Sequence, residues 1–319
     1  MTRCAIVVPC YNEEAVFEDS NQKLLVVLKD LINKEKISSD SYLLYVDDGS
    51  KDNTWQLIAK AHEASENVYG LKLAGNKGHQ NALFAGLMQA KENSDITISI
   101  DADLQDDVAV IEDMIDEYHK GSQIVYGVRN DRSSDSFFKR FTAQSFYKIM
   151  NILGAKSVYN HADFRLMSKK ALEELALYSE THLFLRGIAP ELGFKTSKVF
   201  YSRKERLAGE SKYPLKKMIS FAFNGITSFS VKPLTMILYM GIVAIFVSFV
   251  AIIYSLIRHF QGETITGWTS MFASIWFLGG VQLASIGIVG QYVGKNFIES
   301  KKRPRYYIET YLNHDQENN

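Results

Sequence analysis

Short apolar runs alternate with longer stretches of helical periodicity through the first 130 positions of the chain. Arg3–Pro9 is rich in Val and Ile and stops at a proline, the pattern of a buried strand. Glu13–Ile32 brings Val16, Leu24, Leu25, Leu28 and Leu31 onto one helical face. Further strands are predicted at Tyr42–Val46, Val68–Leu73, Ile96–Ile100 and Gln123–Gly127. Helices at Thr54–Ala64, Gln80–Gln89 and Val108–His119 separate them. This alternation predicts an α/β fold, a parallel sheet with both faces covered by helices. Such sheets bind ligands beyond the carboxyl ends of their strands. Asp47-Asp48-Gly49-Ser50 and Asp101-Ala102-Asp103 both fall at strand ends, and that convergence marks the expected site.

The pattern changes past residue 130. Asn130–Phe137 reads as a polar loop, 138–153 as a helix and Phe194–Tyr201 as a strand. Pro214–Val231 places Leu215, Met218, Ile219, Ala222, Ile226 and Phe229 opposite Lys216, Lys217, Ser220 and Asn224. Because it leads directly into an apolar region, this amphipathic helix is expected to lie in a membrane interface. Thr235–Ile257 and Met271–Val293 carry no charge, and each is long enough to cross a bilayer as a helix. Lys212, Lys216 and Lys217 precede the first run; Lys295, Lys301, Lys302, Arg303 and Arg305 follow the second. Positive flanks favour the cytoplasm, so the loop from Arg258 to Thr269 should lie outside. The expected organisation is a cytoplasmic catalytic domain over 1–213, an interfacial helix over 214–232, two transmembrane helices over 233–294 and a cytoplasmic tail over 295–319. No signal peptide is visible, so the N-terminal domain is expected to stay in the cytosol.

Composition narrows the partners. Lys plus Arg and Asp plus Glu balance at 36 each among 319 residues, which gives no support to a nucleic-acid partner. Cys4 and Cys10 share one apolar run, and six strand residues separate them by about 20 Å, too far for a disulfide. Two buried reduced thiols are expected.

Asp-x-Asp is common in solvated turns. At the end of an apolar strand, opposite a second acidic pair, it has another use. Asp101 and Asp103 there suit Mg²⁺ or Mn²⁺, which prefer hard oxygen ligands completed by phosphate and water. Such an ion offsets charge on a departing diphosphate. The first strand closes in Pro9-Cys10-Tyr11-Asn12-Glu13, where Tyr11 is placed to stack on a base. No Gly-x-Gly-x-x-Gly follows that strand and there is no Gly-Lys-Ser/Thr loop, which excludes the usual dinucleotide and P-loop signatures. His79, His161 and His182 show no metal-ligand spacing and read as structural.

Taken together, these residues resemble glycosyltransferase family 2, in its polyprenyl-phosphate branch with dolichol-phosphate mannose synthases and bactoprenol glucosyltransferases. The matching motifs are Val8-Pro9-Cys10-Tyr11-Asn12-Glu13-Glu14, Asp47-Asp48-Gly49-Ser50-Lys51-Asp52 and Asp101-Ala102-Asp103-Leu104-Gln105-Asp106. Tyr126-Gly127-Val128-Arg129, Asp163-Phe164-Arg165-Leu166-Met167 and Gly209-Glu210-Ser211-Lys212-Tyr213 complete the set. The resemblance implies a GT-A nucleotide-diphospho-sugar transferase fold with a C-terminal two-helix transmembrane hairpin. It implies nucleotide contacts at Pro9, Tyr11, Glu13, Asp48 and Asp101, and a metal at Asp101, Asp103 and Gln105. Asp163 occupies the family's candidate base position, and it and the metal residue Asp103 are the implied catalytic residues. A phosphate acceptor is already largely ionised at neutral pH, so base and orienting roles for Asp163 both stay open.

An anionic lipid head group calls for cations, and Arg129, Arg140, Arg203, Arg206 and Lys212 are the candidates, with Arg186 a weaker one. The implied reaction is inverting transfer of glucose or N-acetylglucosamine from a UDP-sugar to undecaprenyl phosphate at the bacterial cytoplasmic membrane. A homo-oligomer, a downstream flippase and an extracytoplasmic transferase are the expected partners. A diacylglycerol or protein acceptor, and an inactive membrane scaffold, are the rival readings. Processive polysaccharide synthases carry Gln-x-x-Arg-Trp, and Trp55, Trp268 and Trp276 all lie outside that context, which disfavours chain elongation.

Overall fold

The computed structural model describes residues 1–129, 161–180, 184–202, 232–261 and 267–314. The expected loop at Asn130–Phe137, the helix at 138–153 and the interfacial helix at Pro214–Val231 lie outside the described residues. So do Arg140, Arg203, Arg206 and Lys212.

The chain begins with β1 (Cys4–Cys10), α1 (Glu14–Asn33), β2 (Tyr42–Asp47), α2 (Thr54–Ala64), β3 (Val68–Leu73), α3 (His79–Asn93) and β4 (Ile96–Ser99). It continues through α4 (Ile111–His119), β5 (Ile124–Arg129), β6 (His161–Ser168), α5 (Lys169–Ala176), α6 (Leu185–Glu191) and β7 (Thr196–Tyr201). Two long helices, α7 (Lys232–Phe260) and α8 (Trp268–Ser300), precede a last strand, β8 (Ile308–Leu312). The described residues form two compact units, the sheet domain with the chain from Arg303 onward, and the two long helices.

One sheet holds all eight strands in the order β7-β5-β6-β4-β1-β2-β3-β8. β1 is buried along its whole length because β2 and β4 flank it in parallel and helices cover it. The strands read from the sequence, β1 to β5 and β7, run parallel to one another, and two further strands make the sheet mixed. β6 runs antiparallel to both β4 and β5, and β8 antiparallel to β3. β6 starts after a long connection from β5, where strand–helix alternation carries no information about direction. The stretch read as a tail contains β8, which continues the sheet beyond β3.

The direction of β6 positions the site. Ser99 of β4 lies opposite Arg165 of β6. Asp101 lies two residues past Ser99 and Asp163 two residues before Arg165, so both acids fall at the same edge of the sheet. An antiparallel strand thus delivers its N-terminal end to the same edge where the parallel strands deliver their carboxyl ends.

Core packing follows the apolar pattern with small shifts. α1 buries Phe17, Ser20, Leu24, Leu28 and Leu31, so its inner face begins at Phe17 rather than Val16. α3 is buried over most of its surface, through Ala82, Leu83, Phe84, Ala85, Gly86, Leu87 and Ala90. It lies so close to the sheet that a Cβ on Gly86 would meet Val7 Cγ1 at 2.5 Å and Val46 Cγ2 at 2.6 Å. Cys4 and Cys10 are buried free thiols, as expected.

In the second unit α7 spans 29 residues and α8 spans 33, and the two touch. Large apolar side chains point outward, among them Phe246, Phe277 and Leu283. Among the described residues, Phe277–Ser300 is the one helical stretch, 24 residues, long and apolar enough to cross a membrane; Leu234–Val243 is a shorter apolar run.

Candidate active site

The loops after β1 and β2 are tied together by hydrogen bonds. Asn12, held at φ 55°, donates its N–H to Ser50 Oγ at 3.0 Å, and its Oδ1 accepts from the Lys51 N–H at 2.8 Å. The Glu13 N–H donates to Thr54 Oγ1 at 2.9 Å. Pro9 is buried within β1, and Tyr11 stands 40 % exposed beside the tied loops. Gly49 sits at φ 68°, where a side chain would strike the backbone of Gly75 and Asn76 at 2.7 Å.

Asp48 is buried and accepts from the Lys77 N–H at 2.7 Å and the Gly78 N–H at 2.9 Å. Burial raises its carboxyl above the usual range, although these two N–H groups oppose the rise. The loop after β3 is thereby fixed to the end of β2, and it opens directly into α3 at His79.

The Asp101–Asp106 turn is equally constrained. Leu104 takes a left-handed conformation at φ 43°, and its N–H donates to the Asp101 carbonyl at 3.2 Å. The Gln105 N–H donates to Asp103 Oδ1 at 3.3 Å, and Ser20 Oγ donates to the Ala102 carbonyl. Gln105 and Asp106 are buried, while the Asp101 side chain keeps 39 % of its surface exposed. The Asp101 carboxyl is pushed up to about 6 by desolvation, with His79 opposing and the charges of Asp163, Asp106 and Asp103 adding to the rise. No group of three or more His, Cys, Asp or Glu side chains among the described residues is disposed to hold a metal. Mg²⁺ is commonly held by one or two carboxylates with phosphate and water completing its shell. The pair Asp101 and Asp103, with the Gln105 carboxamide, fits that donor chemistry.

Asp163 is 2 % exposed, and its carboxylate accepts from Arg165, Gln80 and Arg186, with His79 close by. Arg165 Nη2 donates to Oδ1 at 2.9 Å, and Gln80 Nε2 donates to Oδ2 at 3.2 Å. Arg186 forks the carboxylate, Nε to Oδ1 at 3.1 Å and Nη2 to Oδ2 at 2.9 Å. His79 Nε2 lies 3.4 Å from Oδ2 and 3.6 Å from Asp101 Oδ1, between the two acids. Burial alone would raise the Asp163 carboxyl. The His79 bond and the charges of Arg186 and Arg165 outweigh burial and hold it well below the ordinary carboxylate range.

Of the cations proposed from sequence, Arg186 and Arg129 lie within the described residues; Arg186 forks Asp163, and Arg129 stands at the end of β5. Its Nη2 pairs with Asp106 Oδ1 at 3.0 Å, and its Nε donates to the Tyr201 hydroxyl oxygen at 3.3 Å. Tyr201 OH also donates to Asp106 Oδ1 at 2.6 Å. This cluster joins the ends of β5 and β7 to the Asp101–Asp106 turn.

Sequence reasoning set His79 aside as structural and passed over Gln80. Both belong to the first turn of α3, just past the Gly75–Gly78 turn at the carboxyl end of β3. That strand-end position was the available signal.

Comparison with known proteins agrees with the geometry. Residues 5–176 match the family described as Glycosyl transferase family 2. The chain is 57 % identical over 311 residues to a Bacillus subtilis protein named uncharacterized glycosyltransferase YkoT, covering 98 % of this chain and 92 % of that one. It is 38 % identical over 310 residues to the prophage bactoprenol glucosyl transferase homolog of Escherichia coli K12, and equally to the bactoprenol glucosyl transferase of Shigella phage SfV. Each match covers 96 % of this chain and 98 % of the relative. The mixed sheet described above is GT-A-like.

Proposed function

The chain belongs to glycosyl transferase family 2 and is a glycosyltransferase, and on that premise we propose that it moves a sugar from a UDP-sugar onto undecaprenyl phosphate at a membrane. The observation that carries this reading is the pairing of Asp101 with Asp163 at one sheet edge. It occurs in a chain that matches proteins named bactoprenol glucosyl transferase along nearly its whole length.

On this reading the tied loops after β1 and β2 hold the nucleotide, with Pro9, Tyr11, Glu13 and Asp48 forming its walls. Asp101, Asp103 and Gln105 would hold Mg²⁺ or Mn²⁺, which when bound offsets charge on the leaving diphosphate. The lipid phosphate oxygen attacks the anomeric carbon from the face opposite UDP. The bond to UDP breaks as the new bond forms, and an α-linked donor gives a β-linked product. No proton need be removed from a phosphate that is already ionised. A carboxylate held so far below its usual range is also a poor base. Asp163 therefore acts as an orienting anion that fixes Arg165 and Arg186. Arg129, Arg140, Arg203, Arg206 and Lys212 are proposed to meet the acceptor phosphate, with Arg129 stationed by Asp106. Positioning and charge stabilisation supply most of the acceleration.

α7 and α8 are proposed to cross the bilayer as a hairpin, with 214–232 in the interface and both flanks cytoplasmic. A chain anchored in this way brings the catalytic domain to an acceptor that stays in the membrane. The donor is UDP-glucose or UDP-N-acetylglucosamine, and the product would serve a flippase and an extracytoplasmic transferase.

The test is incubation of the purified full chain with each UDP-sugar, Mn²⁺ and undecaprenyl phosphate, followed by mass spectrometry of the lipid. A hexosyl or N-acetylhexosaminyl polyprenyl phosphate is expected. Transfer to diacylglycerol alone, or no transfer from either donor, would overturn the reading. Protease access to residues 260–268 from the cytosolic side would overturn the topology.

A further inference from the structure

We propose that Gln80 is a positioning residue that clamps the start of α6 to Asp163 and so sets where Arg186 stands during transfer. The proposal rests on the orienting role given to Asp163 above. Gln80 belongs to the first turn of α3, a helix packed tightly against β1 and β2, so its side chain projects from a rigid base. Its carboxamide is used at both ends. Nε2 donates to Asp163 Oδ2 at 3.2 Å, and Oε1 accepts from the Leu185 N–H at 3.1 Å.

That N–H begins α6, where a helix leaves backbone donors without internal partners. The preceding Phe184 side chain makes no cap bond, and Gln80 supplies the missing acceptor from a distant part of the chain. The Leu185 carbonyl is held in turn by Arg165 Nη1 at 2.8 Å. Both backbone groups of Leu185 are thus tied to the network around Asp163, and the next residue is the Arg186 that forks it. α6 has seven residues, too few to be stable by itself, so these ties, with the burial of Leu185, Gly187, Ile188 and Ala189, hold it in place. A carboxylate only accepts and a backbone N–H only donates, and a carboxamide, with an acceptor oxygen and a donor nitrogen, serves both partners.

The experiment uses the full-length protein with Mn²⁺, undecaprenyl phosphate and the UDP-sugar that the wild type accepts. Gln80→Leu removes both bonds at similar volume. Its kcat should fall roughly tenfold, the worth of one hydrogen bond to a charged group, while the KM for UDP-sugar stays within about twofold. Gln80→Glu keeps the acceptor for Leu185 but sets a second carboxylate against Asp163, so it should lose more activity than Gln80→Leu. Hydrogen exchange should quicken over 185–191 in Gln80→Leu and stay unchanged over β1 and β2. Unchanged exchange over 185–191, or Gln80→Glu as active as wild type, overturns the proposal. A wild type that makes no glycolipid counts against the acceptor reading instead, and the exchange result still decides the clamp.

Discussion

Asp101 and Asp163 stand side by side at one edge of the sheet, yet their surroundings push them in opposite directions. Asp163 is buried, bonded by Arg165, Arg186 and Gln80, and its carboxyl is held well below the usual range. Asp101 is half-buried, faces the charges of Asp163, Asp106 and Asp103, and is pushed up to about 6. Neighbouring carboxylates whose environments drive them apart take different tasks. The protein supplies cations to Asp163 and leaves Asp101 short of them. On the proposed reading the first is finished machinery, while the second waits for a metal and a diphosphate to complete it.

The sharpest break of that contrast is the loss of the waiting half. Asp101→Ala and Asp103→Ala should each reduce glycolipid formation by roughly 10³-fold, since a bound cation supplies several kcal/mol to the transition state. Mass spectrometry of the lipid product measures this, on protein whose circular dichroism matches wild type. Full activity in either variant would remove the proposed cation site.

The finished half should fail differently. Asp163→Asn leaves the fully buried Arg165 and its neighbour Arg186 facing a neutral amide. Breaking a buried pair costs about 3–5 kcal/mol, so thermal unfolding should show a large loss along with reduced turnover. The pH dependence has a definite sign. The folded carboxyl lies below its unfolded value of about 3.9, so the unfolded chain binds the proton more readily. The stability Asp163 adds is complete above about pH 4 and fades as pH falls toward the folded value. The difference between wild type and Asp163→Asn should shrink over that acid window. A constant difference would mean that the charge of Asp163 contributes nothing.

Half of this contrast was legible in the sequence. The run into Asp101-Ala102-Asp103 showed a strand end, because an apolar stretch giving way to acids is a local pattern. The family motif singled out Asp163, but its place beside Asp101 depends on β6 running antiparallel between β4 and β5. Strand direction after a long connection leaves no local trace. His79 and Gln80 escaped for a related reason. A histidine and a glutamine in a helix's first turn look ordinary until the tertiary fold brings β6 and α6 against them. β8 was missed because a short strand that pairs with β3 from the far end of the chain has no neighbouring strand in sequence to announce it. The shift from Val16 to Phe17 on α1 is smaller and reflects only which side of the apolar stripe meets Tyr45.

α3 carries His79 and Gln80 to the two acids, so its seating should matter to both. Gly86→Ala drives a methyl group into Val7 and Val46, an overpacking that costs about 1–3 kcal/mol. Thermal unfolding checks this, and no loss would show that α3 can move off the sheet freely.

The smallest effect belongs to the residue between the two carboxylates. His79 is 44 % exposed, and His79→Asn should cost about 1 kcal/mol or less, because water competes for an exposed pair. Its value lies in how that loss is shared. A double-mutant cycle isolates the coupling of His79 to each acid in turn. Asp163 Oδ2 lies 3.4 Å away on a side chain 3 % exposed, and Asp101 Oδ1 lies 3.6 Å away on one 39 % exposed. Lower local dielectric strengthens the first contact and solvent screens the second. Coupling to Asp163→Asn should therefore exceed coupling to Asp101→Asn in unfolding measurements made without metal. The reverse order would mean that His79 serves the waiting acid first, and the division between a finished and an unfinished carboxylate would have to be redrawn around it.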